Sequence, residues 1–298
     1  MQTLTEIKGM LAARGLRPKH RLGQNFLHSH HHLGMILDAA DLTPGERVLE
    51  VGPGTGALTV GLLDAGAQVV AVELDSDLIP LLEDRFAAEL QAGRLTLIQG
   101  DALAGKHELS AAVLAALGGQ PFKMIANLPY QVASPLLVNL SLQVPAMSRA
   151  VVMVQKEVAD RLKAGPGDGK AYGPLSVVVQ NSCEAETVAH LTPGCFWPAP
   201  KVASAVSRLR RRPEPRVEPA VAFADYVHRV FGRRRKQLGT LLGDAVDWPA
   251  GVTRQTRPEA LTLEQWAELY DATERRGQGG QPAAIRVQPD PEGASGGS

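Results

Sequence analysis

The chain has 298 residues, 44% of them hydrophobic and 21% charged, a balance that excludes a disordered chain and fits a soluble globular protein with one large domain and a smaller one. Its formal net charge is zero, so it is not basic all over; no apolar run reaches the roughly 18 residues that span a bilayer, and the charged start lacks the apolar centre of a signal peptide, so a cytoplasmic location is expected. The spacing of its two cysteines, Cys183 and Cys195, fits neither a CxxC redox pair nor a zinc site, and both are expected to be reduced thiols.

Charge is unevenly distributed. Lys8, Arg14, Arg17, Lys19 and Arg21 dominate the start; Arg208, Arg210, Arg211, Arg212, Arg229 and the run Arg233-Arg234-Arg235-Lys236 crowd the last third. That polarity suits a molecule that grips a polyanion at its two ends and does its chemistry between them.

Residues 1–17 form a charged amphipathic segment. His28, His30, His31 and His32 follow, but adjacent side chains cannot all face one ion, and no metal site is expected there. From Arg47 onward, short apolar runs alternate with segments of helical period: residues 48–51, 69–72, 95–98, 123–126 and 150–154. Strands apolar on both faces and separated by helices predict an α/β fold with a parallel sheet covered on both sides.

The first of these strands runs into Glu50-Val51-Gly52-Pro53-Gly54-Thr55-Gly56, ahead of a helix starting near Ala57. Glycines at such a turn let backbone approach a ligand. The spacing G-x-G-x-G with an acidic residue ahead differs from the G-x-G-x-x-G of dinucleotide enzymes, which makes pyrophosphate binding the less attractive reading. The second strand ends in Glu73-Leu74-Asp75, where a carboxylate can accept both ribose hydroxyls of an adenosyl group. The third ends in Gln99-Gly100-Asp101-Ala102, which places Asp101 to accept from an adenine amine. Either carboxylate alone could be a strand-end cap; with the loop, they point to adenosyl binding.

The fourth strand leads directly into Asn127-Leu128-Pro129-Tyr130. The Asn127 side-chain oxygen and the Leu128 carbonyl can accept the two N–H bonds of an adenine N6 amine, Tyr130 offers a stacking face worth about 1–3 kcal/mol, and the fixed φ of Pro129 holds the carbonyls in place. A sulfonium methyl is already electrophilic, so the chemistry asks for alignment of the amine and exclusion of water rather than a strong base.

Residues 176–180, 185–190 and 205–209 are strand-like, with short connections that predict an antiparallel edge. After Arg212, Pro213-Glu214-Pro215 breaks the pattern; residues 221–270 are helical in period, with Leu261-Thr262-Leu263-Glu264-Gln265-Trp266 as a capped helix start. Residues 274–298 are rich in Gly, Pro and Gln and are expected to be disordered.

Four segments together resemble the KsgA/RsmA group of small-subunit rRNA adenine dimethyltransferases. They are Arg21-Leu22-Gly23-Gln24-Asn25-Phe26-Leu27, the loop from Glu50 to Gly56, Asn127 to Tyr130, and Phe196-Trp197-Pro198-Ala199-Pro200-Lys201-Val202-Ala203-Ser204-Ala205-Val206. Residues 155–161 and 170–173 are similar to that family too. The resemblance implies a class I S-adenosylmethionine-dependent methyltransferase, Rossmann-like, with a mostly parallel seven-stranded sheet and a small C-terminal all-α domain. It divides the chain into a basic segment closing over the cofactor site (1–30), a catalytic domain (31–212), a helical RNA-binding domain (213–273) and the tail.

Under the resemblance, Gln24, Asn25, Leu27, Gly52, Gly54, Gly56, Glu73, Leu74, Asp101, Ala102 and Asn127 bind S-adenosylmethionine. Phe196 closes the target base from the face opposite Tyr130, beside Asn127, Leu128 and Pro129. Arg21, Lys201, Arg233, Arg234, Arg235 and Lys236 contact RNA, the last four on a basic helix over residues 231–238. The implied substrate is a pair of adjacent adenines in the 3′-terminal hairpin loop of 16S rRNA within the immature 30S subunit, each dimethylated at N6. Loop bases splay out without duplex opening. No obligate protein partner is implied, and a monomer is expected.

Two alternatives stay open. Macrolide-resistance methyltransferases, which modify large-subunit rRNA, share the cofactor loop but carry Ile where this chain has Leu128. A ribosome-assembly or transcription factor on the same fold would need no catalysis, and an intact pocket does not exclude it. A nicotinamide oxidoreductase fails at the loop spacing.

Overall fold

The computed structural model describes residues 2–105, 108–243 and 246–275; all but the first two residues of the expected tail lie outside them. Five strands, β2 (Arg47–Val51), β3 (Gln68–Glu73), β4 (Leu95–Gln99), β5 (Phe122–Asn127) and β6 (Met147–Gln155), pair in parallel. The sheet continues antiparallel through β9 (Ser204–Arg211) to β7 (Cys183–Leu191), giving the order β4-β3-β2-β5-β6-β9-β7. A separate two-stranded ribbon joins β1 (Phe26–Leu27) to β8 (Phe196–Trp197).

The central strands are apolar on both sides because both faces are covered. One face carries Val48, Val69, Ala71, Ile125 and Val151. It packs on α1 (Leu4–Ala12), α2 (His30–Ala40), α3 (Ala57–Asp64) and α4 (Ile79–Arg85), the last followed by α5 (Ala87–Gln91). The other carries Leu49, Val70, Met124, Ala126 and Val152. It packs on α6 (Ala111–Leu117), α7 (Tyr130–Gln143), α8 (Lys156–Lys163) and α9 (Pro174–Ser182). Strand β2 has β3 on one side and β5 on the other, so the chain reverses its order of addition there and opens a crevice at the carboxyl ends. The glycine loop after β2 and the Asn127 loop after β5 flank that crevice.

A third cluster joins α9 to the helices after the sheet: α10 (Ala220–Phe231), α11 (Leu238–Leu242) and α12 (Leu263–Tyr270). Phe231 stacks on the buried Trp266 at 5.2 Å, and Tyr172 meets Phe231 edge-on while donating its hydroxyl to the Leu261 carbonyl at 2.7 Å. Thr262 starts α12 as expected: its hydroxyl accepts from Gln265 N, and the Gln265 side chain accepts from Thr262 N.

Two expectations are corrected. Residues 176–180 are helical, within α9, not a strand. Pro174 sits in the first turn, where its missing N–H costs nothing, and the Ser176 hydroxyl accepts from Gly173 N at 3.1 Å. Val177 and Val178 face the C-terminal helices while Val179 faces the sheet cluster, so the helix is buried all round and shows no amphipathic period. The basic run 233–236 is likewise not a helix: α10 ends at Phe231, and the arginines occupy an exposed turn before α11, with Arg234 N donating to the Phe231 carbonyl.

Candidate cofactor and target-base site

The crevice is a cavity of about 620 Å³. Its walls include Gln24, Asn25, Leu27, Gly52, Gly54, Glu73, Leu74, Asp101 and Ala102 on the side expected for an adenosyl group, and Asn127, Leu128, Pro129, Tyr130 and Phe196 on the side expected for a base. Arg21 and Lys201 line it as well. Gly56 does not; it starts α3 at φ 81°, and a Cβ there would come within 2.5 Å of the Phe86 ring. Arg233 to Lys236 lie on their turn, outside the cavity lining.

The glycine loop is tied to the next strand. Gly54 N donates to Glu73 Oε2 at 3.1 Å, and the other carboxylate oxygen accepts from Asp75 N at 2.9 Å. Burial raises the Glu73 carboxyl above its ordinary range against these two bonds, and the Asp75 charge adds to the rise. Behind the loop, Glu50 is fully buried, accepts from Thr59 Oγ1 at 2.7 Å, and is pushed up to about 8 by burial, with the charge of Glu73 adding. Asp101 is exposed, one oxygen accepting from Leu103 N at 2.9 Å.

On the base side, the Asn127 amide nitrogen donates to the Asn25 carbonyl at 3.0 Å, and the Asn25 amide donates to the Gly23 carbonyl at 3.1 Å. Leu128 N donates to the Met153 carbonyl, which fixes the loop to β6. The Tyr130 hydroxyl bonds to Ser204 Oγ at 3.2 Å, holding the ring by its far end. Phe196 is buried in β8, opposite Leu27 of β1, so the N-terminal segment and the loop bearing Phe196 are one structural unit.

Several participants escaped the sequence reading. Gln2 is buried and exchanges two 2.7 Å bonds with Thr55 of the glycine loop, one to the carbonyl and one from the hydroxyl. Phe26 stands under Gly54, its ring 3.1 Å from where a Cβ would be. Asp75 is buried and holds Lys19 and Gln24. Their partners are not local: each lies 28 to 56 positions away. Among the histidines, His32 sits by Ser29 Oγ at 2.7 Å and Cys195 Sγ at 3.7 Å, and burial lowers its pKa. No cluster of three metal-ligating side chains occurs among the described residues.

A family profile described as "Ribosomal RNA adenine dimethylase" matches residues 15–274. Ribosomal RNA small subunit methyltransferase A of Thermosynechococcus vestitus is 42% identical over 270 residues, 86% of this chain and 97% of that protein. The protein of the same name from Pseudomonas aeruginosa is 40% identical over 260 residues, 85% and 93% of the two chains. Among solved structures, a dimethyladenosine transferase from Plasmodium falciparum aligns with a TM-score of 0.65 at 25% identity, covering 85% of this chain and 98% of its own. The 23S rRNA methyltransferase ErmE aligns at 0.62 and 29% identity, covering 83% and 99%.

Proposed function

We propose, from the premise that this chain belongs to the ribosomal RNA adenine dimethylase family, that it dimethylates N6 of two adjacent adenines in the 3′-terminal hairpin loop of 16S rRNA during small-subunit maturation. The family's cosubstrate is S-adenosylmethionine, which supplies an activated methyl group when bound. The residues present fit that group. Gly54 has no side chain between Phe26 and the cavity, Glu73 and Asp101 offer carboxylate oxygens at its rim, and about 620 Å³ accommodates an adenosyl group and a base. Asn25, Leu27, Gly52, Gly54, Leu74 and Ala102 are its other proposed contacts; Gln24 stands at the wall with both ends of its amide held by Lys19 and Asp75, and Gly56 shapes the loop from behind.

The observation that carries the reading is the orientation of Asn127. With Nδ2 committed to the Asn25 carbonyl, Oδ1 is the free end, an acceptor held before any substrate arrives. With the Leu128 carbonyl it accepts both N–H bonds of an adenine amine, which turns the nitrogen lone pair toward the methyl donor and reduces its conjugation with the ring. Tyr130 and Phe196 clamp the ring and exclude water. No side chain acts as a strong base, because a transferred methyl leaves an ammonium that sheds its proton readily. Arg21 and Lys201 at the cavity wall, with Arg233, Arg234, Arg235 and Lys236 on the distal turn, engage the RNA backbone.

Small-subunit RNA is favoured over 23S RNA by 40–42% identity to small-subunit enzymes against 29% to ErmE. The test is transfer from radiolabelled S-adenosylmethionine to undermethylated 30S particles and, separately, to protein-free 23S RNA, followed by digestion to nucleosides. Label in N6,N6-dimethyladenosine from 30S alone is expected. Label in 23S RNA reassigns the substrate, and cofactor binding without transfer to either identifies an assembly factor.

A further inference from the structure

We propose that Asp75 is a positioning residue for methyl transfer, acting through Lys19 and Gln24 on Asn25 and thereby on Asn127; the inference rests on the methyltransferase reading above. Asp75 is 4% exposed and every polar atom of its carboxylate is engaged. Oδ1 accepts from Lys19 Nζ and from Asp77 N at 3.1 Å; Oδ2 accepts from Gln24 Nε2 at 2.7 Å. The orientation of the Gln24 amide is unambiguous. Its Oε1 accepts from Lys19 N at 2.8 Å, and an N–H can only donate while a carboxylate can only accept, so Nε2 must face Asp75.

The stretch 19–24 is therefore a closed turn hung on one carboxylate. Within it Leu22 N donates to the Lys19 carbonyl and Gly23 N to the His20 carbonyl. The next residue, Asn25, takes its bearing from this turn through its amide bond to the Gly23 carbonyl, and offers its own carbonyl to Asn127. On the far side of Asn25 the chain enters β1 and is held by β8. Asn25 is thus fixed between two anchors, and Asp75 is the one on the cofactor side, since its backbone N–H also donates to Glu73. Loss of the anchor lets the Asn25 carbonyl shift and the Asn127 amide rotate, while Glu73 keeps both its backbone bonds.

The network has a polarity that can be exchanged. In Asp75→Asn, an amide nitrogen faces the Gln24 nitrogen, and flipping Gln24 only moves the clash to Lys19 N. In Gln24→Glu, two carboxylates face each other at hydrogen-bond distance. In the double variant, the new amide donates to the new carboxylate, whose other oxygen still accepts from Lys19 N, and every bond is restored, with donor and acceptor reversed only between positions 75 and 24.

The experiment uses the full chain, undermethylated 30S particles, S-adenosylhomocysteine titration and deuterium exchange over residues 19–27. Each single variant is expected to lower kcat by about tenfold or more, as a misplaced reacting group does. Each should also speed exchange over 19–27 and leave S-adenosylhomocysteine affinity within about threefold, the signature of a loss confined to the transition state. The double variant should recover kcat and exchange. A purely structural role gives equal loss of affinity and kcat in the single variants, with recovery of both in the double. Single variants that turn over at the wild-type rate, or a double no better than either, overturn the inference. If the wild-type chain does not methylate 30S particles, the functional reading fails instead; exchange then still decides whether the latch exists, and unaltered exchange in the single variants dismisses it.

Discussion

Asn127 donates its side-chain amide to the backbone carbonyl of Asn25, 102 positions earlier in the chain, at 3.0 Å. This bond sets which end of the amide faces the cavity, and it makes the Asn127 loop dependent on the N-terminal segment. Because the role proposed for Asn127 lies mainly on the incoming amine, Asn127→Ala should lower kcat by about 10² or more, in line with removal of one preorganised polar contact. Affinity for S-adenosylhomocysteine, measured by titration calorimetry, should stay within about threefold. A parallel collapse of both would move Asn127 to the cofactor.

Stability should depend on pH through Glu50. Its folded-state pKa of about 8 lies above the ordinary 4.5, so between these values the folded chain holds a proton that the unfolded chain has released. Unfolding then loses a proton, and stability falls as pH rises through that window; below it the group contributes no slope, and above about 8 the full cost is present. Glu73, raised in the same direction, adds to the slope. Glu50→Gln keeps an acceptor for Thr59 and removes the titration. Urea unfolding should show the variant gaining on the wild type by up to about 1.4 kcal/mol per pH unit across the window. A gap that does not change with pH would mean Glu50 is ionised in the fold.

Gly54 and Gly56, separated in the loop only by Thr55, should fail differently. At Gly56, alanine must adopt φ 81° and push its Cβ to 2.5 Å from the Phe86 ring, which is packed between α4 and α5. Gly56→Ala is expected to cost about 1–3 kcal/mol of stability from overpacking and backbone strain. At Gly54 the neighbour is the ring of Phe26, 3.1 Å away in β1, on the N-terminal side of the cavity. There the main effect should be on the ligand: Gly54→Ala weakens S-adenosylhomocysteine binding by more than its change in unfolding free energy, compared by calorimetry and urea titration on the same preparations. The reverse ranking would remove Gly54 from the cofactor site.

What the sequence disclosed and what it hid divide along a physical line. The strands were legible because burial on both faces leaves an apolar run bounded by turns, and the strand ends were legible because glycine, carboxylate and amide recur there for chemical reasons. Residues 176–180 misled because three consecutive valines resemble a strand when a helix is buried all round and has no polar face. The basic run was read as helical from the family resemblance, while in this chain the helix has already ended at Phe231 and the backbone turns at Gly232. Gln2, Lys19 and Asp75 were invisible in a different way. Their side chains are ordinary surface types whose partners are set only by the N-terminal segment lying across the crevice. Gln24 was noticed for its neighbours, yet its two polar atoms serve Lys19 and Asp75.

The distal basic turn offers a prediction separable from the chemistry. Arg234 is exposed, its backbone held by Phe231, while Phe231 itself is buried against Trp266 and Tyr172. The turn therefore keeps its shape when the Arg234 side chain is changed, and Arg234→Glu should alter stability by no more than about 0.5 kcal/mol. If the turn lies on RNA phosphates, the reversal replaces an attraction by a repulsion and removes a released counterion. Affinity for 30S particles should fall, and the slope of log affinity against log salt should flatten by about 1. Turnover at saturating 30S should be unchanged, because the reacting groups are on the sheet and not on this turn. Filter binding across a salt series, beside kcat on the same particles, measures both. An unaltered slope with unaltered affinity would put the RNA on the Arg21 and Lys201 side of the molecule alone, and a fall in kcat at saturation would mean that the distal turn helps to place the adenine as well as to hold the RNA.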